Sequence, residues 1–323
     1  MSLAQEIKAA ALDAGFDLVG ITDASPIPPE QARFLADWLK AGYAGQMQYM
    51  YRDFEKRTNP ARLLPGAQSV IVVGLNYKPA PQKPRPRDVT QPTGRVSAYA
   101  QYEDYHLFIR RHLRKLIDFV TSTGARGREF KICVDSAPLA ERALAARAGL
   151  GFIGKNHTLT NPTLGPQILL GEIITIQKLD IDEPVAEGCA GCNKCIDACP
   201  TGALRADGRL DANRCISYLT IEYKGSVSGA AGPDFAEKVG NRLFGCDECV
   251  LACPYRQNAP VCKNRQFRFY PDRAELDLQE ILTMTAESWD ARFADSPIKR
   301  LGLAGLKRNA QICLANLNCP DRP

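Results

Sequence analysis

Seven cysteines in two short runs limit most strongly what this chain can be. Residues 189–200 read CAGCNKCIDACP, with the spacing C-x2-C-x2-C-x3-C-P, and residues 246–254 read CDECVLACP, which repeats most of it. In bacterial ferredoxins, three such thiolates wrap one [4Fe–4S] cluster, and the fourth, which precedes the proline, ligates a second cluster. The spacing therefore predicts a ferredoxin-like module that holds two clusters.

Because the cysteine before each proline ligates the other cluster, a crossed pattern of ligation results. This pattern divides the cysteines into two sets of four. The first set is Cys189, Cys192, Cys195 and Cys253. The second set is Cys199, Cys246, Cys249 and, because the second run is one cysteine short, Cys215 from the segment RCISYL. Neighbouring clusters of this kind carry single electrons, so the module is predicted to feed an acceptor elsewhere in the chain.

A pair of zinc sites is the competing interpretation, since C-x2-C pairs also bind Zn2+. The third cysteine two residues further on and the trailing C-x3-C-P favour iron–sulfur clusters. Four further cysteines are interpreted as buried apolar thiols or surface residues without a role in the clusters: Cys133, Cys262, Cys313 and Cys319.

Length and composition describe an ordinary globular protein. The 323 residues suit about two domains, and 45% of them are hydrophobic and 24% charged. No apolar run approaches the ~20 residues of a membrane span, and residues 1–15 lack the basic start of a signal peptide. Together with thiols that need a reducing compartment, this predicts a cytoplasmic protein without membrane contact. The net charge of +5 permits an anionic partner without demonstrating one.

Hydrophobic periodicity divides the chain into three parts. It predicts helices near 3–14, 29–41, 104–121 and 138–148. Apolar, β-branched runs predict buried strands at 69–77, 129–136 and 169–179. Their alternation favours a layered α/β domain over residues 1–184. The double-cluster module follows over 185–262, and a helical region is predicted over 263–323.

Asp135 is the candidate catalytic residue of the α/β part. It ends the apolar run FKICVDSAP directly before a predicted helix. Position alone favours a helix N-cap, but α/β folds also place ligands and catalytic groups at such an edge. Among the three histidines, His106 and His112 lie on a basic helical segment and are expected to face solvent. His157, in GKNHTL, is the better site candidate, with a structural role favoured for a lone histidine.

At this point the motifs resemble one family, the epoxyqueuosine reductases, which are cobalamin-dependent iron–sulfur enzymes of tRNA modification. The similarity covers nearly the whole chain. Its most specific segments are VDSAPLAERALAARAGLGFIGKN at 134–156 and RCISYLTIE at 214–222. The segments RTNPARLLPGAQSVIVV and SPIKRLGLAGLKRNAQICLAN also match.

The resemblance implies a nitroreductase-like core that holds cobalamin without a histidine ligand and is reduced by the two clusters. Asp135 matches the proton-donating aspartate of the family, and burial beside the corrin is expected to raise its pKa. The segments that line the corrinoid in the family contain Arg57, Leu159, Leu170 and Ser217. The implied reaction reduces epoxyqueuosine to queuosine at the wobble position of tRNA, with electrons from an external flavodoxin- or ferredoxin-type donor.

The implied tRNA partner presents an anticodon loop, whose unstacked base can enter a pocket. Tyr223 and Lys224 follow the segment where the family approaches tRNA. Four basic residues near the C-terminus are candidate phosphate contacts: Lys299, Arg300, Lys307 and Arg308. On one continuous helix they would form a single stripe, although Gly302 and Gly305 count against that continuity and a solvated face is the alternative for each residue.

Three other functions stay open on the sequence. One is a corrinoid and iron–sulfur reductase of another substrate, such as an organohalide. Another is a non-enzymatic protein that transfers electrons or handles cobalamin, which would not need Asp135. The third is a zinc-bearing RNA-binding module.

Overall fold

The computed structural model describes residues 2–81, 92–122, 130–225 and 235–317. Its strands are β1 (Leu18–Asp23), β2 (Ser69–Asn76), β3 (Thr93–Val96), β4 (Phe130–Cys133), β5 (Phe152–Ile153), β6 (Leu159–Thr160), β7 (Ile168–Thr175), β8 (Arg242–Phe244) and β9 (Glu275–Asp277). Its α-helices are α1 (Leu3–Asp13), α2 (Pro29–Lys40), α3 (Gln48–Tyr51), α4 (Phe54–Thr58), α5 (Tyr105–Ser122), α6 (Glu141–Arg147), α7 (Lys194–Asp197), α8 (Ile216–Ile221), α9 (Phe235–Val239), α10 (Glu248–Leu251), α11 (Pro254–Gln257), α12 (Leu278–Thr283), α13 (Ala286–Phe293) and α14 (Leu303–Leu317). Short 3-10 helices cover Pro60–Arg62, Ala98–Gln101, Ala212–Arg214, Pro271–Arg273 and Pro297–Arg300.

The main sheet has the strand order β1–β2–β7–β4, and each neighbouring pair is antiparallel. Strand β2, SVIVVGLN, is buried along its whole length, as its β-branched run predicts. Strand β7 pairs with it from Ser69 opposite Thr175 to Asn76 opposite Ile168. One face of this sheet packs against α1 and α5, and the other packs against α6. The apolar side chains of both faces thus form two cores, with the sheet between them.

The helix and strand predictions for this part of the chain are confirmed. The four predicted helices correspond to α1, α2, α5 and α6, and α6 begins three residues later than predicted. The three predicted strands correspond to β2, β4 and β7. Strand β1 was not predicted, because Gly20 interrupts its short apolar run.

A second sheet, in the order β8–β3–β9, takes one strand from each of the three predicted parts. Strand β3 runs parallel to β8 and antiparallel to β9. One core under this sheet contains Val96, Phe244 and Leu276, together with Trp289 and Phe293 of α13. The predicted boundaries at 184 and 262 therefore follow changes in sequence character, but they do not separate independent cores.

Gly20 of β1 has a close backbone neighbour that a side chain would meet. A methyl group added there would lie 2.0 Å from the carbonyl oxygen of Ala148, which follows the last residue of α6. We expect Gly20→Ala to lower the free energy of unfolding by about 1–3 kcal/mol or more, because a backbone obstacle cannot rotate away.

Chemical denaturation followed by circular dichroism measures this difference. Gly188→Ala is the matched control, since an added methyl group at Gly188 meets nothing within 4 Å. Equal stability of Gly20→Ala and the wild type would contradict the close approach of α6 to β1.

Candidate active site

Asp135 lies in the turn between β4 and α6, at the edge of the main sheet. Its φ of 51° is in the left-handed region, which aspartate adopts more readily than most non-glycine residues. Its N–H donates to Oε1 of Glu141 at 2.5 Å. Because α6 begins at Glu141 with Ala140 as its N-cap, the N-cap interpretation of Asp135 is wrong.

Two basic side chains contact the Asp135 carboxylate. Its Oδ2 lies 3.0 Å from Nε2 of His106 and accepts a hydrogen bond from Nη1 of Arg300 at 3.2 Å. The other terminal nitrogen of Arg300 pairs with Glu222 at 2.9 Å. The Asp135 side chain is still 40% exposed, so a reactant can reach it. The site thus combines the β4–α6 turn, the start of α5 and the segment before α14.

Protons are distributed unequally between His106 and Asp135. Burial lowers the pKa of His106, but its hydrogen bonds with Asp104, at 2.7 Å, and with Asp135 outweigh burial and raise that pKa to about 9. Burial also opposes ionisation of Asp135, but the hydrogen bond and charge of His106, and the charge of Arg300, hold the pKa of Asp135 below its ordinary value. At neutral pH the pair therefore holds one proton, and it resides on the imidazole.

The expected raised pKa of Asp135 is not what the structure gives. Burial acts in the expected direction, but His106 and Arg300 reverse the net shift. No pattern in the sequence placed either residue beside Asp135, because they are 29 and 165 positions away from it.

The expectation that His106 and His112 face solvent is also wrong. His106 points into the site, and its side chain is 22% exposed. His112 is buried, and its Nδ1 donates to the carbonyl oxygen of Phe108 at 2.8 Å. His157 stacks on Phe34 with 6.1 Å between ring centroids, and its carbonyl oxygen accepts a hydrogen bond from Arg142. These contacts of His157 favour its structural role.

Tyr49 contacts both Arg57 and Arg300 and so links Arg57 to the Asp135 site. The Arg57 side chain is mostly buried, and its Nη2 donates to the carbonyl oxygen of Tyr49 at 3.0 Å. Its Nε has no hydrogen-bond partner within the described ranges. The ring of Tyr49 also lies 5.8 Å from the guanidinium of Arg300. A buried N–H without a partner beside a half-exposed ring marks a place for a polar atom of a ligand.

The other residues expected to line a corrinoid lie in different settings. Leu159 and Leu170 are buried in the core against α6, so their side chains are covered and their backbone groups are what a ligand could contact. Ser217 lies in α8, and its N–H donates to the thiol of Cys215. Ser217 thus lies beside a predicted cluster ligand within the cysteine module.

The four basic residues near the C-terminus do not form a single stripe. A 3-10 helix ends at Arg300, and α14 starts at Leu303 after Gly302, whose φ is 78°. Arg300 turns to Asp135, and Lys299 pairs with Asp290 at 3.1 Å.

Arg308 is occupied inside the protein. Its guanidinium donates to the carbonyl oxygens of Leu219, Tyr223 and Gly225. Lys224 is exposed and Lys307 is half-buried, so these two are better placed than Arg308 to contact an anionic partner.

The first predicted thiol set comes together in the structure. Burial, and then the charge of Cys189, raise the pKa of Cys195, and Cys192 adds to this shift. Burial raises the pKa of Cys253, and the same two thiols contribute in the same direction. The backbone N–H of Lys155 donates to Sγ of Cys189 at 3.4 Å. Four thiolates that repel one another at close range are stabilised by bound cations such as iron.

Thiols of the second set also lie close to one another, although their pKa shifts differ in direction. Burial raises the pKa of Cys249, and the charges of Cys215, Cys246 and Cys199 raise it further. Burial raises the pKa of Cys246 to about 11. Burial opposes ionisation of Cys199, but the N–H groups of residues 201, 203 and 204 outweigh it and lower the pKa of its thiol. The interactions thus join the same four residues that the crossed pattern assigned to this set.

A site for a single metal ion would differ from the arrangement of these two thiol sets. Among the described residues, no group of three or more His, Cys, Asp or Glu side chains is close enough to hold one metal ion. A [4Fe–4S] cluster takes one thiolate at each of four iron atoms, so its ligands lie further apart. Of the remaining thiols, Cys133 and Cys313 are buried and Cys262 is half-buried; Cys319 lies outside the described residues.

Two four-thiol sets with ferredoxin spacing, in one chain with the Asp135–His106 acid–base pair, are typical of an iron–sulfur oxidoreductase. A family model described as "Epoxyqueuosine reductase QueG, DUF1730" matches residues 57–136, and one described as "4Fe-4S double cluster binding domain" matches 188–256. An epoxyqueuosine reductase of Vibrio cholerae is 38% identical over 316 residues, which cover 97% of this chain and 83% of the relative. The chain belongs to the epoxyqueuosine reductase family.

Solved structures agree with this assignment. An epoxyqueuosine reductase crystallised with an epoxyqueuosine-modified tRNA-Tyr stem loop has a TM-score of 0.89 and 33% identity, covering 98% of this chain and 81% of that one. A Bacillus subtilis epoxyqueuosine reductase has a TM-score of 0.88 and 32% identity, covering 98% of this chain and 82% of that one. It is described as having an aspartate catalytic loop swung out of the active site.

Within the described ranges, the helices are too short or too polar to span a membrane.

His106 gives a direct measure of the charges at the site. We expect its imidazole to stay protonated up to a pH of about 9. Asp135→Asn should lower this pKa by about one unit, because it removes one of two carboxylates that stabilise the imidazolium. Since the chain has only three histidines, carbon-13 labelling of their Cε1 atoms and NMR titration resolves each one, with His106→Gln for assignment. A His106 midpoint near 6.5 in the wild type would refute the contact.

The thiol sets make a second prediction. The reconstituted wild type should contain about eight iron atoms per chain, and Cys253→Ser or Cys215→Ser should each retain about half. Cys262→Ser, which lies outside both sets, is the control and should retain all of them. Iron and sulfide analysis with electron paramagnetic resonance measures this. Loss of both clusters in Cys262→Ser, or of none in Cys253→Ser, would contradict the assignment.

Proposed function

We propose that the protein reduces epoxyqueuosine to queuosine at the wobble position of tRNA in the cytoplasm, with cobalamin and electrons from two [4Fe–4S] clusters. The observation that carries this proposal is the contact of Asp135 with His106 and with Arg300, which also pairs with Glu222 directly after α8 of the double-cluster module. The relative crystallised with an epoxyqueuosine-modified tRNA stem loop supports the proposed substrate, because its fold matches this chain over 98% of the chain's length.

The residues around Asp135 suit cobalamin. The unpartnered Nε of Arg57 offers a hydrogen bond, and the half-exposed ring of Tyr49 offers an apolar surface to a large planar group. Backbone groups of Leu159 and Leu170, and the helix that carries Ser217, are the further contacts that we assign to it. When bound, cobalamin supplies electrons to the epoxide carbon. The nitroreductase-like character of the core over residues 1–184 is part of this proposal.

Asp135 has the role of proton donor to the epoxide oxygen. Its exposed carboxylate can contact a substrate, while His106 behind it carries a proton up to a pH of about 9. Proton transfer from His106 to Asp135 over their 3.0 Å contact makes Asp135 a neutral acid when the oxygen departs. Arg300 opposes this transfer while it contacts Asp135. An RNA phosphate that attracts Arg300 would favour the transfer.

The tRNA meets the protein at the segment after α8 and at the C-terminal helices. Tyr223 and the exposed Lys224 lie there, and Lys299 and Lys307 are the further phosphate contacts that we assign. Arg308 instead holds this segment in place through its three backbone contacts. The electrons come from an external flavodoxin- or ferredoxin-type donor, since the two clusters carry them one at a time.

The decisive experiment is anaerobic. Reconstituted protein, cobalamin, a strong reductant and tRNA carrying epoxyqueuosine are combined, and digested nucleosides are read by mass spectrometry. We expect loss of one oxygen that depends on cobalamin. Asp135→Asn should lower turnover by about 10²–10⁴-fold, because it removes the acid. Asp118→Asn, an exposed position on α5, is the matched control and should keep wild-type turnover.

Unchanged epoxyqueuosine, with clusters intact and cobalamin bound, would refute the proposal. That outcome would favour a corrinoid reductase of another substrate. Wild-type turnover by Asp135→Asn would instead remove only its role as acid.

A further inference from the structure

Glu172 is a charged residue in the middle of a buried strand. It lies on β7, fully buried, with Val72 and Cys133 as its neighbours in the register on either side. Its side chain is on the face of the sheet that packs against α6. Neither of its carboxyl oxygens meets an N–H or O–H donor in the described part of the chain. Burying an ionised carboxylate in this way costs several kcal/mol, so its protonation state needs an explanation.

The carboxyl of Glu141 is the group that Glu172 contacts. The two side chains are hydrogen-bonding neighbours. Ionised carboxylates only accept hydrogen bonds, so this contact becomes a hydrogen bond only when one of the two holds a proton. Two carboxylates at such range do not both ionise. The geometry therefore requires a shared proton between Glu141 and Glu172.

The net effect of the surroundings is to favour protonation of the pair, although the charge of Arg142 and the hydrogen bond from the Asp135 N–H oppose it at Glu141. Burial, and then the charge of Asp135, raise the pKa of Glu141 to about 7. Burial, and then the charge and hydrogen bond of Glu141, raise the pKa of Glu172 well above its ordinary value. The titratable and charged groups that face the pair are Asp135, Arg57, Arg142, Tyr105 and Cys133. Neither Arg57 nor Arg142 neutralises Glu172, and the pair keeps its proton at neutral pH.

The pair also contacts the catalytic turn directly. Oε1 of Glu141 accepts the backbone N–H of Asp135 at 2.5 Å. This bond goes to the peptide N–H of Asp135 and not to its carboxylate, so it places the carboxyl of Glu141 between Glu172 and the turn that carries Asp135.

The reaction needs more than one proton. Conversion of an epoxide to an alkene breaks both C–O bonds, forms the C=C bond and releases water, and it consumes two electrons and two protons. The electrons come from the external one-electron donor through the clusters. His106 and Asp135 together hold one proton, so the oxygen needs a second one before it leaves as water.

We propose that Glu141 and Glu172 form the second proton store of the active site and pass a proton to Asp135 in each turnover. This inference rests on the proposed reaction. Neither glutamate touches the substrate, so both are positioning residues that act through Asp135.

The test compares Glu172→Gln and Glu141→Gln with the wild type as reconstituted holoenzyme. Glutamine keeps the shape and a hydrogen bond but holds no transferable proton. Cys133→Ser is the control, since Cys133 is the neighbour of Glu172 on β4 and changes the same buried surroundings without a carboxyl.

Infrared spectroscopy reads the proton without any turnover. At about pH 8, where ordinary carboxyls are ionised, the wild type and Cys133→Ser should show the carbonyl band of a buried carboxylic acid, and Glu172→Gln should lack it. Absence of the band in the wild type would overturn the inference whatever the activity.

Turnover gives the second readout. Wild-type turnover should fall as pH rises through about 7, because below that pH Glu141 also carries a proton, and above it only the more tightly held proton shared with Glu172 remains. Both glutamine variants should turn over about 10-fold more slowly, lose this inflection and show a larger solvent deuterium isotope effect. Variants with intact clusters that keep the wild-type pH profile and isotope effect would overturn the inference. Inactivity of the wild type would refute the proposed function, and the infrared band would still decide the proton store.

Discussion

The antiparallel pairing of β2 with β7 is the constraint on which the rest of the structure depends. The two strands are hydrogen-bonded along eight residues and are covered on both faces, by α1 and α5 on one side and α6 on the other. Because side chains alternate along a strand, this register fixes which residues of β7 face α6. It also fixes β4, which ends two residues before Asp135, and α6, whose first residue is Glu141. The site is therefore built at the ends of packed strands and helices.

Charge balance at the site follows from what these elements bring together. His106 and Arg300 keep Asp135 ionised, whereas no cation reaches Glu172, within the described residues, closely enough to neutralise it. Two neighbouring acids thus have opposite protonation states, because one lies beside positive charges and the other lies in an apolar core. A reductase needs protons at the place where its substrate receives electrons. Here the exposed carboxylate of Asp135 and the buried carboxyl pair of Glu141 and Glu172 lie at the same edge of the main sheet.

Much of the site could be predicted from local patterns. The spacing of the two cysteine runs predicted seven cluster ligands, and Cys215 was added to complete the eighth; the structure places thiols of each predicted set close to one another. A strand that ends in Asp135 before a helix was also visible. The roles of His106, Arg300 and Glu172 were not, because each depends on contacts between distant segments. A lone glutamate within LLGEIITI was a signal that periodicity alone treats as a simple interruption.

The sequence by itself determined the class of protein. Thiol spacing reflects the fixed size of a cluster, and β-branched runs reflect local propensity, so both are written in neighbouring residues. The tertiary structure decided which charges meet. The shared sheet of β3, β8 and β9 connects the C-terminal helices to the α/β part, and only this packing puts Arg300 beside Asp135. A pKa depends on distance in space and on burial, and neither quantity is set by position along the chain.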